Sequence, residues 1–144
     1  MTEVKFYEPH FVPDSKLTYS VISAIFDHNW IFVRHQERIT WEIAGGHIEE
    51  GETSDDAAGR ELMEETGALK FNLECIATYS VTKEGETGWG RLYLARVSEI
   101  GPIPDMSEIA EIKISCYLPE NLTHPDIQPY LFRRTEEYLK KLQK

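Results

Sequence analysis

At 144 residues, 41% hydrophobic and 28% charged, the chain can bury a core without metals or disulfides as staples, and one domain over residues 1–144 is expected. The net charge of −10 disfavours a general nucleic-acid binder, because phosphate backbones are held by Lys and Arg. No apolar run approaches the roughly 18 residues of a membrane span, and the first residues lack the basic start and apolar stretch of a secretory signal, so a cytoplasmic protein is expected.

Residues 1–16 contain Pro9 and Pro13 and read as an irregular arm with a short strand near Val4 to Tyr7. Leu17 to Phe26 is rich in β-branched and aromatic residues and predicts a strand. Asp27-His28-Asn29 is a turn signal, and Trp30 to Arg34 is the hairpin partner. Thr40 to Ile43 predicts a short strand feeding a Gly45-Gly46 turn. A helix is expected from Thr53 or Ser54, both good N-caps, with Asp55 and Asp56 suiting the positive end of its dipole. Gly67 is a typical residue just past a helix end. Ala58 and Leu62, with Ala57 beside them, form the stripe that faces the core. Gly59 costs about 1 kcal/mol against Ala in mid-helix, which fits either drift on an exposed face or close packing against neighbouring backbone.

Leu69 to Val81 predicts one long or bent strand, Lys83 to Gly88 a polar hairpin loop, and Gly90 to Val97 the returning strand. In the latter, Arg91, Tyr93, Ala95 and Val97 alternate with Leu92, Leu94 and Arg96. Gly101 to Asp105 is a loop and Ile112 to Leu118 a final strand. Pro129 suits the first turn of a last helix, whose buried stripe would be Leu131, Tyr138, Leu139 and Leu142. Strands, helix, strands, helix predict an α+β fold with a mixed sheet and helices on both faces. Cys75 and Cys116 both fall in apolar stretches and predict buried free thiols in a reducing compartment. No Cys/His spacing suggests zinc.

The acidity is local. Residues 42–65 hold nine acids (Glu42, Glu49, Glu50, Glu52, Asp55, Asp56, Glu61, Glu64, Glu65) and one base, Arg60, a balance of −8 out of −10. On a helix, Glu61, Glu64 and Glu65 stand at i, i+3 and i+4 and project from one face, where like charges repel. A hard divalent cation relieves that repulsion, because Mg²⁺ prefers carboxylate oxygens and water. Such a site binds an anionic phosphate substrate once the ion has reversed its sign.

Gly46, five residues, Glu52, seven residues, then Arg60-Glu61-Leu62-Met63-Glu64-Glu65-Thr66-Gly67-Ala68 resembles the Nudix box. The one departure is Ala68, where that family usually has Ile, Leu or Val. Weaker resemblance lies in Trp41-Glu42-Ile43 before Gly45-Gly46 and in Glu108-Ile109-Ala110-Glu111 before a late strand. The resemblance implies an α/β/α sandwich with a mixed sheet and the box as a loop–helix–loop at one end. It implies Mg²⁺, with Mn²⁺ as a substitute, held by Glu61, Glu64, Glu65 and the Gly45 carbonyl. Gly46, Glu52 and Gly67 would be structural, and Arg60 would brace Glu52 and orient Glu61. The general base is open between Glu61 and a distant loop residue, Glu108 or Glu111, with Glu84 and Glu86 behind them. For stacking on a base, Arg34, Trp89, Arg91 and Tyr79 are candidates, with Trp30 as a further one. His47 is expected to be exposed and not a ligand.

The implied reaction is Mg²⁺-dependent hydrolysis of a phosphoanhydride in a nucleoside diphosphate derivative. Ala44, where many relatives have proline, and the absence of motifs tied to ADP-ribose or coenzyme A hydrolases favour a small MutT-like enzyme. It would cleave a normal or oxidised (d)NTP to the monophosphate and pyrophosphate. Alternatives are an ADP-ribose or nucleotide-sugar pyrophosphatase, a non-catalytic nucleotide sensor of the same fold, and isoprenoid diphosphate isomerase chemistry. The last would need a catalytic cysteine that neither Cys75 nor Cys116 supplies. The expected partner is a small nucleotide, with neither nucleic acid nor membrane; homodimers are common in the family.

Overall fold

The computed structural model describes residues 1–142; Gln143 and Lys144, included in the expected domain, lie outside the described residues. Seven strands form one mixed sheet: β1 (Thr2–Tyr7), β2 (Tyr19–Phe26), β3 (Asn29–His35), β4 (Ala44–His47), β5 (Ala68–Lys83), β6 (Glu86–Ile100) and β7 (Ile109–Ser115). The helices are α1 (Ser54–Thr66) and α2 (Gln128–Leu142). The sheet runs β1-β5-β6-β2-β3-β7, with β4 on the side of β2. β2 and β6 are parallel, and the other pairings between these strands are antiparallel.

The period-2 pattern of the strands builds two cores. Ile22, Ala24, Ile31, Tyr93, Ala95 and Val97 face α1, which buries Ala58 and Leu62 against them. Val21, Phe32, Leu92 and Leu94 face the other way, against Leu131 and Phe132 of α2. The sheet is therefore sandwiched between two helices, as predicted. Fully burying Leu62 is worth roughly 1.5–3 kcal/mol, enough to hold α1 despite the repulsion along its acidic face.

Several expectations need correction. The N-terminal arm is more regular than its prolines suggest, because β1 pairs with β5 from Thr2 to Tyr7 and a short 3₁₀ turn covers Asp14–Lys16. Gly45 and Gly46 lie in a strand, not a turn, pairing with Val21 and Ser20 of β2. A Cβ on Gly45 would sit 2.6 Å from the Ser20 carbonyl oxygen, so the two backbones approach too closely for any side chain. The hairpin between β5 and β6 is not a long polar loop: Glu84 and Gly85, both at positive φ, make a two-residue turn. Finally, Leu142 is exposed; Tyr138 and Leu139 do pack on the core beside Leu131, but Phe132 and Thr135 complete the buried face. The thiols are not buried as expected either: Cys75 is half-buried, and Cys116 is exposed because β7 runs from Ile109 to Ser115, three residues earlier than the expected Ile112 to Leu118, and ends before it.

Candidate active site

The acidic row is presented by a helix with both ends fixed. The Thr53 hydroxyl accepts the Asp56 N–H at 3.1 Å and the Asp56 carboxylate accepts the Thr53 N–H at 3.1 Å, a reciprocal cap. At the far end Gly67 is left-handed and donates its N–H to the Met63 carbonyl. Beside the buried Ala57, Ala58 and Leu62, one flank of α1 carries Arg60, Glu61 and Glu64, while Glu65 points inward and is buried.

Arg60 is the hub of this face. Its Nε and Nη2 donate to the two oxygens of Glu52 at 2.7 and 2.9 Å. Nη1 donates to Glu61 Oε1 at 2.9 Å and to Glu64 Oε2 at 3.4 Å, and Nη2 also reaches the His47 carbonyl at 3.1 Å. This fork holds the Glu52 carboxyl down at a pKa of about 2. It also ties the loop after β4 to the helix.

The carboxyls further in behave in the opposite way. Burial pushes Glu65 up to about 8 against the pull of the Gly45 N–H, which donates to its Oε1 at 2.9 Å, and the charges of Glu61, Glu42 and Glu108 add to the rise. Burial also raises Glu61, against the pull of Arg60. These groups, with Glu49, Glu64 and Glu108, line a cavity of about 250 Å³ that Met106 and Ser107 also border. Five carboxylates and one guanidinium around so small a space leave negative charge that the protein does not balance.

That donor set, all hard oxygen, fits a divalent cation of the Mg²⁺ or Mn²⁺ type. Among the described residues no three acidic, His or Cys side chains already converge as a finished cage, and Arg60 holds Glu61 and Glu64 in the geometry seen.

A second cavity, of about 610 Å³, opens on the other side of β4. Tyr79, Val81, Ile127 and Leu131 give it apolar walls, and Gln128 stands among them. Gly45 and Gly46 separate the two cavities. They line the larger one, while the Gly45 N–H binds Glu65 and a Cβ on Gly46 would fall 2.5 Å from Glu61 Oε1. The partition is bare main chain.

The remaining expected residues divide clearly. Glu108 reaches the carboxylate cavity, whereas Glu111 lies on β7 in an ion pair with Arg34, 3.0 Å from its Nη2. Neither Arg34 nor Glu111 lines either cavity. Trp89 packs with Tyr7 and Phe11 on the α1 side of the sheet. Arg91 is buried, with Asp14, Ser54 and the Val12 carbonyl taking its guanidinium, so it anchors the N-terminal arm to the start of α1. Burial raises the Asp14 carboxyl, but the Ser54 N–H and Arg91 outweigh it and its pKa is lowered. Tyr79 alone of the stacking candidates lines the larger cavity. Glu84 and Glu86 stand at its rim, and His47 is exposed, its ring tilted against that of Tyr19.

Three residues at the site were not singled out from the sequence. His35 sits among acids, with Nε2 3.1 Å from Glu42 and 3.6 Å from Glu65, and Nδ1 3.8 Å from Glu108. Its parity was the available signal: Ile31 and Val33 are buried toward the α1 side, and His35 continues their row. Glu42 bridges His35 and Arg38. Gln128, at the start of α2, accepts the Ile43 N–H at 2.7 Å, and nothing local in the sequence points to that contact.

Residues 16–136 match the NUDIX domain. The provisionally named 8-oxo-dGTP diphosphatase YtkD of Bacillus subtilis (strain 168) is 31% identical over 98 residues; these make up 68% of this chain and 61% of that protein. The chain thus spans under two thirds of this relative. Among solved structures, the Bacillus subtilis pyrophosphohydrolase BsRppH superposes with a TM-score of 0.76 at 23% identity, over 95% of this chain and 90% of that one. A C. elegans Ap4A hydrolase in a binary complex gives 0.65 at 19% identity, over 87% and 98%. Both share the fold. Among the described residues no helix is long and apolar enough to cross a membrane.

Proposed function

The chain belongs to the NUDIX domain family, and on that premise we propose that it hydrolyses a phosphoanhydride in a nucleoside diphosphate derivative with a divalent cation, Mg²⁺ or Mn²⁺. The observation that carries this reading is the pair of cavities divided by Gly45 and Gly46: a carboxylate-lined one, and a larger one of about 610 Å³ with apolar inner walls and a polar rim, roomy enough for a nucleoside. Glu61, Glu64 and Glu65 would hold the cation, with the Gly45 carbonyl as a further oxygen. The bound ion supplies charge neutralisation of the phosphates and a lowered pKa for attacking water.

The chain's own groups then divide the labour. Arg60 orients Glu61 while fixing the loop through Glu52. Glu61, whose proton affinity is raised by burial, can take a proton from water, and Glu108 at the mouth of the same cavity is the second candidate base. The larger cavity receives the nucleoside. Because the similar Bacillus subtilis protein is named for 8-oxo-dGTP, and this chain lacks the motifs of ADP-ribose and coenzyme A hydrolases, the substrate is a normal or oxidised (d)NTP. The products are the monophosphate and pyrophosphate.

The test is a phosphate-release screen with Mg²⁺ over dNTPs, 8-oxo-dGTP, ADP-ribose, nucleotide sugars and dinucleoside polyphosphates. Cleavage of triphosphates that is lost in Glu65→Gln is expected. Cleavage confined to ADP-ribose or sugars would replace the substrate class, and tight nucleotide binding without cleavage of any class would make the protein a sensor.

A further inference from the structure

The larger cavity contains a side-chain amide whose orientation is settled by its partner. Gln128 is 8% exposed, and one end of its amide lies 2.7 Å from the backbone N–H of Ile43. A backbone N–H can only donate, so the atom facing it is the carbonyl oxygen. The other end is therefore NH₂, a donor only, and among the described residues it has no hydrogen-bond partner although Gln128 lines the cavity. The amide cannot flip to present its oxygen to a ligand without stripping Ile43 of its acceptor inside the protein.

The other polar atom of the deep wall is the Tyr79 hydroxyl. Tyr79 is 4% exposed, and its ring fills the space where a side chain at Gly90 would stand. A hydroxyl donates or accepts, so it suits either kind of ligand atom. Of the charged lining, Lys83 pairs with Asp126 at 3.0 Å and Glu42 with His35 and Arg38, while Glu84, Glu86 and His124 stand exposed at the rim. Among the buried lining side chains, discrimination thus falls on one fixed donor.

We infer that Gln128 selects the base: its NH₂ meets a ring keto oxygen, so the cavity takes 6-oxopurines and 4-oxopyrimidines over their amino counterparts. An adenine or cytosine amino group at that point would set donor against donor and leave both unsatisfied. A site built to hydrogen-bond one group rejects the analogue that cannot answer it far more strongly than an apolar pocket rejects a small change of shape. The inference rests on the reading of this cavity as the nucleoside end of the substrate site, and it names the class of base.

Calorimetric titration of the metal-free protein with the pairs IMP/AMP and UMP/CMP tests it, with ribose 5-phosphate as the baseless control. Each pair exchanges the keto group for an amino group. The keto member is expected to bind at least tenfold tighter in each. Gln128→Glu keeps an acceptor for Ile43 but replaces the donor with an acceptor, and should narrow or reverse both ratios. Ratios near one in the wild type overturn the inference, as does ribose 5-phosphate binding as tightly as the nucleotides, or a variant with unchanged ratios. Should Gln128→Glu not fold, the two wild-type ratios decide alone. Parallel turnover of ITP and ATP with Mg²⁺ separates this from the hydrolase reading: hydrolysis without base preference sinks only the inference, and keto-selective binding without hydrolysis sinks only the enzyme.

Discussion

Replacing Glu65 by Gln should change the pH dependence of stability before it changes anything else. In the folded, metal-free protein the Glu65 carboxyl titrates at about 8 instead of 4.5, chiefly because it is buried. Unfolded, it ionises at its ordinary value. Below pH 4.5 both states keep the proton and the folded state is not penalised. Between 4.5 and 8 the unfolded chain ionises while the folded one does not, so stability falls as pH rises and levels off above 8. At about 1.4 kcal/mol per pKa unit the full excursion is about 5 kcal/mol. Side-chain relaxation and repulsion shared with Glu61 reduce it to roughly 2–5 kcal/mol, or roughly 5–15 °C in Tm for a chain of this size. Glutamine cannot ionise, and its oxygen still accepts the Gly45 N–H. Metal-free Glu65→Gln should therefore match the wild type near pH 5 and melt clearly higher at pH 9. Mg²⁺ should narrow that gap at pH 8, raising the wild type by about 2.7 kcal/mol at a hundredfold excess over Kd and the variant much less. Differential scanning calorimetry from pH 5 to 9, with EDTA and with Mg²⁺, reads both effects. Parallel curves for the two proteins in EDTA would refute the buried, proton-holding carboxyl, and equal Mg²⁺ shifts would place the ion elsewhere.

Ala at Gly46 and at Gly45 should fail differently. The Gly46 Cβ would meet the Glu61 carboxylate at 2.5 Å, a movable group, so Tm should hold while turnover falls tenfold or more, since small misplacements at a reacting site are costly. The Gly45 Cβ would meet backbone, Ser20 O at 2.6 Å and Val21 Cα at 2.9 Å, so β2 and β4 must separate at a cost of about 1–3 kcal/mol in thermal melts; two variants with equal Tm would contradict this division. Gly59→Ala should stabilise the protein by about 1 kcal/mol, because its Cβ would meet only Leu73 Cδ1, at an ordinary 3.9 Å. A lower Tm in that variant would mean that α1 packs more tightly there than the structure has it.

What could be read from the sequence was what local rules govern. Thr53 and Gly67 bracket α1 because capping is decided within a few residues, and the alternation of Arg91, Tyr93 and Ala95 follows from strand pleating alone. β4 escaped because Ala44, Gly45 and Gly46 carry none of the β-branched bulk that marks a strand; they are extended because the Ser20 and Val21 backbone lies too close for anything larger. The alternation likewise placed Arg91 on the Tyr93 side but could not say that Asp14, 77 residues away, waits there to pair with it. Gln128 is the sharpest case. Pro129 marks the helix start next to it, yet the group that fixes its amide is a main-chain N–H 85 residues earlier, and a backbone donor leaves no trace in composition or periodicity. His35 lies between these extremes, since extending β3 by one residue beyond Arg34 would have placed it on the row of Ile31 and Val33, beside the acids of α1. The residues proposed to face the phosphates are therefore gathered on one helix and visible as a pattern. Those that would judge the base are brought together only by the sheet, which is why the family could be read from the chain and a choice of base could not.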